Sequence, residues 1–230
     1  LARRIKEQGS TITTSCSVRE IIVHNGRATG LRVEPIPAKW VSPQVVGRDE
    51  NEKIGRPTDN LTSYSESFDA VIATTPSHTF ARIVPSLSGN FLSKLTNIEY
   101  LAAVLIILVL KRPLSHVYWM NVADRSVPFV GVIEQTNFIQ PNHYGGKHIV
   151  YLSNYLSAHH PLYDLDKESV LAEYLPHLRK INPDFDESWI IKSYHHRVDA
   201  AQPIIGPDYS SRIPEHRTPI KNLYLANTTQ

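Results

Sequence analysis

The stretch that most constrains this chain is LAAVLIILVL, Leu101 to Leu110, closed by Lys111-Arg112-Pro113. A helix needs about 20 apolar residues to cross a bilayer, so this run does not span one. Its β-branched content and its abrupt basic stop point instead to a fully buried, central strand. HVYWMNV, VPFVGVIEQTNF and HIVYLSNYL follow as further strands, separated by Pro, Gly, Asp and Asn turn signals. In His148 to Tyr155 the period of two puts Ile149, Tyr151, Ser153 and Tyr155 on one face. DKESVLAEYLPHLRKINPDF then reads as a helix capped by Asp166, with Val170, Leu171, Leu175 and Leu178 as its apolar positions. Pro176 should shorten its last turn. SWIIKSYHHRVDA returns as a strand.

The first third has a different order. LARRIKEQG is a helix with Leu1, Ile5 and Gln8 on one face and Gly9 at its C-terminal stop. A strand carrying Val18, Ile21, Ile22 and Val23 follows, then Asn25-Gly26, a strong two-residue hairpin signal, and a returning strand from Ala28 to Val33. From Pro35 to Ser67 the chain is rich in Pro, Ser, Asn, Asp and Glu, with scattered Trp40, Val45 and Val46, and reads as an insertion or flexible loop between two strands of one sheet. FDAVIATTPSHTF resumes as a short strand, Ala70 to Ala73, running through Thr74-Thr75-Pro76 into a helix capped by Ser77 and ended by Pro85. NLYLANTTQ is a last buried strand.

Composition narrows the function. The 230 residues are 41% apolar, enough for a core, and carry a net charge of +2 with no basic block, so no nucleic-acid partner is expected. Cys16 is the single cysteine, which excludes an internal disulfide framework and fits a reducing, cytoplasmic setting. Leu1 opens with no charged region followed by an apolar core, so no signal peptide is expected, although peripheral membrane association stays open. His159-His160 and His195-His196 are adjacent pairs, which point opposite ways on a strand, and no metal site is expected from them. No Ser-His-Asp arrangement and no glycine-rich phosphate loop is present. By itself, then, the Ala73 to Pro76 strand end reads either as part of a nucleotide pocket or as a plain strand-to-helix turn.

Taken in order, four pieces carry a resemblance: LARRIKEQGSTITTSCSVREIIVHNGRATGLRV, FDAVIATTPSHTFARIVP, VPFVGVIEQTNFIQPNHYGGKHIVYLSNYL and NLYLANTTQ. The chain resembles the FAD-dependent amine oxidase, protoporphyrinogen oxidase and phytoene desaturase superfamily. The resemblance implies an α+β, α/β chain: part of a Rossmann-like FAD-binding domain, residues 1–80 and 219–230, plus a substrate domain, residues 86–215, built on a mixed β-sheet with flanking helices. It also implies an internal segment of a longer flavoprotein, lacking the upstream phosphate loop and the downstream flavin motif, and inactive by itself. FAD is the implied cofactor, with Val18, Ala73, Thr74, Thr75 and Pro76 matching positions along its ADP half.

In such proteins the second domain's sheet roofs the flavin and lines the substrate cavity. The flavin does the redox chemistry, so hydride removal needs no catalytic triad and no catalytic side chain is assigned. The substrate-binding candidates are polar or aromatic residues on apolar strands: Trp119 beside Tyr118, Glu134 and Asn137 with Thr136, Tyr151 and Tyr155 with Asn154, and Arg197. Glu134 and Arg197 are expected as a buried pair or as two substrate anchors, because a lone buried charge costs several kcal/mol. Each of these positions also reads as an ordinary strand position facing solvent. Two other functions stay open: a flavoenzyme resembling UDP-galactopyranose mutase, for which Arg197 and Arg212 would reach a diphosphate, and a binding or assembly domain that holds no flavin.

Overall fold

The computed structural model describes residues 1–36 and 62–230. The first elements are α1 (Ala2–Glu7), β1 (Cys16–His24), β2 (Arg27–Pro35), β3 (Tyr64–Ser67), β4 (Val71–Ala73), α2 (Ser77–Ile83) and α3 (Gly89–Thr96). There follow β5 (Tyr100–Leu110), β6 (Trp119–Asn121), β7 (Gly131–Glu134), β8 (His148–Leu156), α4 (Pro161–Asp164), α5 (Lys167–Tyr174), β9 (Ile190–Pro203) and β10 (Leu223–Leu225). They form two compact units, Leu1–Ile98 with Gly206–Gln230, and Glu99–Ile205. The mixture of helices with several sheets is the α+β class expected from the sequence.

In the first unit β1, β2 and β3 form an antiparallel sheet. Asn25 and Gly26 both take positive φ, 50° and 71°, which matches the right-handed twist of the strands they join. β3 corrects the reading of residues 35–67 as loop throughout: Tyr64–Ser67 pairs with β2, its four side chains all exposed, so no apolar pattern announces it. Trp40, Val45 and Val46 lie outside the described residues. A Cβ at Gly30 would overlap the Glu66 carbonyl, so glycine is what lets β3 approach. β4 and β10 pair in parallel, Val71 opposite Leu223 and Ala73 opposite Leu225. Ile21, Ala28, Val71, Ala73, Phe80, Phe91, Leu95, Leu223 and Leu225 meet in one apolar core. Fully burying a large apolar side chain stabilises by about 1.5–3 kcal/mol, and α2 and α3 join this unit through Phe80, Ile83, Phe91 and Leu95. α3 is a short amphipathic helix, burying Phe91 and Leu95, and is an element beyond those read from the sequence. Ser77 does not cap α2. It lies within the helix after Pro76, buried, because Asn227 and Thr229 offer its hydroxyl better partners.

The second unit is a five-stranded sheet in the order β6-β7-β8-β5-β9. Each pairing is antiparallel, which corrects the expectation of a mixed sheet in this part of the chain. The parallel pairing belongs to β4 and β10. β5 sits between β8 and β9, and Ala102, Val104, Ile106, Leu108 and Leu110 are all fully buried on one face. Val170, Tyr174, Leu175 and Leu178 cover that face. Asp166 Oδ1 accepts from the Ser169 N–H at 2.8 Å, capping α5 as expected. Beyond Tyr174 the helix tightens to a 3-10 turn, Leu175–Lys180, where Pro176 cannot donate. The alternate residues of β5, from Leu101 to Val109, are half-buried, so the strand is not buried on both faces.

Candidate functional site

Two surfaces answer to the sequence expectations, one in each unit. The first lies at the carboxyl ends of β4 and β10, where parallel strands in α/β proteins receive nucleotides. The strands leave their pairing through Ala226 N–H donating to Ala73 O at 2.9 Å. Asn227 then braces the two ends. Its Nδ2 donates to Thr75 O at 2.8 Å and to Ser77 Oγ at 3.2 Å, while its Oδ1 accepts from Thr229 N at 3.0 Å and Thr229 Oγ1 at 2.7 Å. Gln230 Oε1 accepts from Asn227 N at 2.9 Å. The turn from Ala73 to Pro76 is thereby held by polar atoms that Asn227 supplies from 150 residues downstream. Thr75 Oγ1 is buried and has no hydrogen-bond partner among the described residues. A buried hydroxyl is almost always satisfied, so an unsatisfied one at a nucleotide-type strand end fits a polar ligand group there. Ala73 is buried, Thr74 exposed, and Thr75 and Pro76 half-buried. Val18 lies apart on β1, half-buried against the unit's core, beside a bulge that leaves Arg19 without an opposite residue on β2.

The second surface is the face of the five-stranded sheet turned away from the helices. Register alone assembles it. Trp119, Ile133, Tyr151, Ile107 and Tyr194 stand side by side across all five strands. The adjoining row is Asn121, Gly131, Ser153, Leu105 and His196, small and polar at its middle. Tyr155, Ala103 and Val198 make a third row, and Ile149, Val109 and Lys192 flank the aromatic row on its other side. None of these side chains joins the hydrophobic core of the unit. Burial raises the Tyr151 hydroxyl above its ordinary range, with the hydroxyls of Tyr144 and Tyr118 adding to the effect. Trp119 is held by its indole N–H donating to Asn121 Oδ1 at 2.9 Å. Of the sequence-derived substrate candidates, Trp119, Tyr151 and Tyr155 come together here. Tyr194 and Lys192 are additional members. The period-two alternation of KSYHHRVDA contains them, but it does not say which phase faces outward.

The other candidates lie elsewhere. Glu134 and Arg197 do not pair. Both are on the helix-covered side, but β7 and β9 are separated by three strand spacings, about 14 Å, and by four residues along the strands. Arg197 donates to Tyr163 O at 2.8 Å and lies over the Tyr163 ring. Glu134 is 0% exposed and accepts backbone N–H groups of Leu114 at 3.1 Å and Ser115 at 2.6 Å. Burial raises its carboxyl above the ordinary 4.5, against the opposing pull of those two N–H groups. His148 Nδ1 lies 3.6 Å from Glu134 Oε1, too far for a hydrogen bond. Asn137 Nδ2 donates to Ser115 O and Val117 O, a structural role. Asn154 Nδ2 donates to Pro128 O, and Thr136 Oγ1 accepts from Ile149 N. In the first unit Arg212 donates to Pro207 O. Among the described residues no group of three His, Cys, Asp or Glu could hold a metal ion, and no helix is long and apolar enough to cross a membrane.

The family described as flavin containing amine oxidoreductase matches residues 1–229, and the chain belongs to that family. Its fold is similar to that of an oxidoreductase from Methanosarcina mazei, with a TM-score of 0.64 and 19% identity over 98% of this chain and 46% of that one. A candidate protoporphyrinogen oxidase from Exiguobacterium sp. 255-15 gives 0.64 and 16% over 99% of this chain and 45% of that one. A reduced UDP-galactopyranose mutase gives 0.52 and 16% over 65% of this chain and 33% of that one. The chain therefore spans less than half the length of these solved structures. No curated protein sequence matches it significantly.

Proposed function

We propose that the chain serves an FAD-dependent oxidoreductase that removes a hydride from a C–N or C–C bond of a small organic substrate. The first unit would form one flank of the FAD site and the second unit the substrate face. The observation that carries this reading is the buried, unpartnered Thr75 hydroxyl at the carboxyl ends of two parallel strands. Ala73, Thr74, Thr75 and Pro76, with Val18, would hold the nucleotide portion of FAD. Ala73 keeps the turn close, and Asn227 fixes it through Thr75 O. Bound FAD supplies the two-electron redox chemistry. The rows from Trp119 to Tyr194 exclude water and orient substrate by aromatic contact. Those rows hold Lys192 and His196 and no carboxylate, which suits a neutral or anionic, largely apolar substrate better than a protonated amine. A half-buried lone Cys16 fits a reducing, cytoplasmic setting. No glycine-rich phosphate loop is present, so residues 1–230 alone should bind FAD weakly.

The test is the visible absorption spectrum of the full-length natural protein purified without added flavin. A flavin spectrum that a reductant bleaches is expected. Thr75→Val should lower FAD affinity about fivefold, the worth of one hydrogen bond of about 1 kcal/mol, with unchanged circular dichroism. A colourless, folded protein that takes up no flavin on titration overturns the proposal.

A further inference from the structure

The open face of the five-stranded sheet carries one lysine, no arginine and no carboxylate in the rows that strand register assembles. That lysine, Lys192, stands on β9, the outermost strand, beside Val109 and then Ile149. An edge lysine can simply guard a sheet against further pairing, but that role calls for an ammonium extended into water. The Lys192 side chain instead folds back over the face, with Nζ 4.8 Å from the centre of the Tyr194 ring. Tyr194, beneath it, is only 8% exposed. Among the described residues no carboxylate and no hydrogen-bond acceptor meets this ammonium. A ring face holds a cation weakly at such a site, and the N–H donors stay available to an anion. The neighbouring row supplies the rest of a site. Tyr151, Ile107 and Tyr194 stand side by side on β8, β5 and β9. Two strand spacings, about 9.6 Å, separate the two tyrosines, and Ile107 is the apolar floor between them. A flat aromatic ring laid on Ile107 meets a tyrosine at each side and turns one edge toward Lys192.

We propose that Lys192 anchors the carboxylate of an aromatic substrate whose ring lies over Ile107, between Tyr151 and Tyr194. The inference rests on the reading of this face as the substrate face, and it narrows the substrate to an aromatic monocarboxylate. Charge sets the class. One ammonium balances one negative charge, and the next basic side chain of the face, His196, is four residues further along β9, about 13 Å away. A phosphate, with more charge and more oxygens, is ordinarily met by several donors or by the fork of an arginine, and the rows contain no arginine. A protonated amine would meet a like charge at Lys192 and no carboxylate to offset it.

The experiment is equilibrium dialysis of the full-length holoprotein against naphthoate and its neutral counterpart naphthamide, with the flavin absorption spectrum recorded at each ligand concentration. Naphthoate is expected to bind about tenfold more tightly than the amide, the worth of a charge-assisted hydrogen bond. Lys192→Met, which keeps an apolar stem over Tyr194, should lose that preference and bind the amide as the wild type does. Lys192→Arg should keep the preference. Lys180→Met, on the helix-covered side where Lys180 meets Asp124, should leave both affinities unchanged. Equal binding of the two probes, binding of neither, or a preference that survives in Lys192→Met overturns the proposal. The two readouts separate the anchor from the flavin. A preference that depends on Lys192 in a protein whose flavin spectrum does not respond keeps the carboxylate site and refutes the placing of flavin against this face. A flavin-bearing protein without the preference keeps the oxidoreductase and refutes the anchor.

Discussion

Glu134 is the group whose removal should be felt most. Its side chain is 0% exposed, and its two oxygens satisfy the N–H groups of Leu114 and Ser115, tying the loop after β5 to the end of β7. In Glu134→Ala both N–H groups lose their acceptor. Leu114 is only 1% exposed, so water does not replace the bond at that position. An orphaned buried N–H costs about 1–3 kcal/mol, and Ser115, half-buried, less. The lost side-chain volume adds to this, and relief of the carboxylate's own desolvation subtracts, so the net loss should be about 3 kcal/mol. Glu134→Gln keeps one acceptor and sets an amide NH₂ against the other N–H, for a loss of about 1–2 kcal/mol. Urea unfolding of the full-length protein measures both. The pH dependence separates charge from geometry. Burial raises the folded carboxyl above the ordinary 4.5, so the folded state binds that proton more tightly than the unfolded chain does. Stability from this group is present below 4.5 and declines as pH rises through the raised value. The glutamine variant should lack that decline. A Glu134→Ala loss below about 1 kcal/mol, or an unchanged pH profile in Glu134→Gln, would refute the role of Glu134 as the clamp on the loop.

Two further outcomes follow from the fold. Gly30→Ala should destabilise by about 1–3 kcal/mol in urea unfolding, because the added methyl meets the Glu66 carbonyl and must push β3 away from β2. Asp166→Ala should lower the thermal midpoint at neutral pH and narrow its difference from the wild type in acid. The Ser169 N–H holds the Asp166 carboxyl below the ordinary 3.8, so its contribution is present above that value and is lost as pH falls below it.

The sequence made the strands legible where an apolar run or a turn signal was strong. Leu101 to Leu110 is a strand, and Asn25-Gly26 is a hairpin turn with both residues at positive φ, since few other dipeptides tolerate that geometry. Asp166 capped α5 because a short acceptor preceded an apolar helical period. β3 escaped notice because YSES has no apolar face, and an edge strand needs none. Glu134 was assigned the wrong partner for a different reason. Its ligands are backbone N–H groups, which leave no trace in side-chain identity, and the phase of a strand does not say which face the helices cover. The rows of the open sheet likewise emerged only from register: Tyr194 meets Ile107, and Ile107 meets Tyr151, through pairings of residues far apart in sequence.

The parallel pairing of β4 with β10 bears on how the chain is made. Val71–Ala73 must wait for Leu223–Leu225, and the whole of Glu99–Ile205 is synthesised between them. The inserted unit is contiguous and its strands pair antiparallel, so its contacts close early as it leaves the ribosome. The first unit stays an open half-structure until β10 emerges, with the apolar edge of β4 exposed to wrong partners. The second unit can therefore fold while the first is still unfinished, and the brace at Asn227 forms only after β10 has emerged.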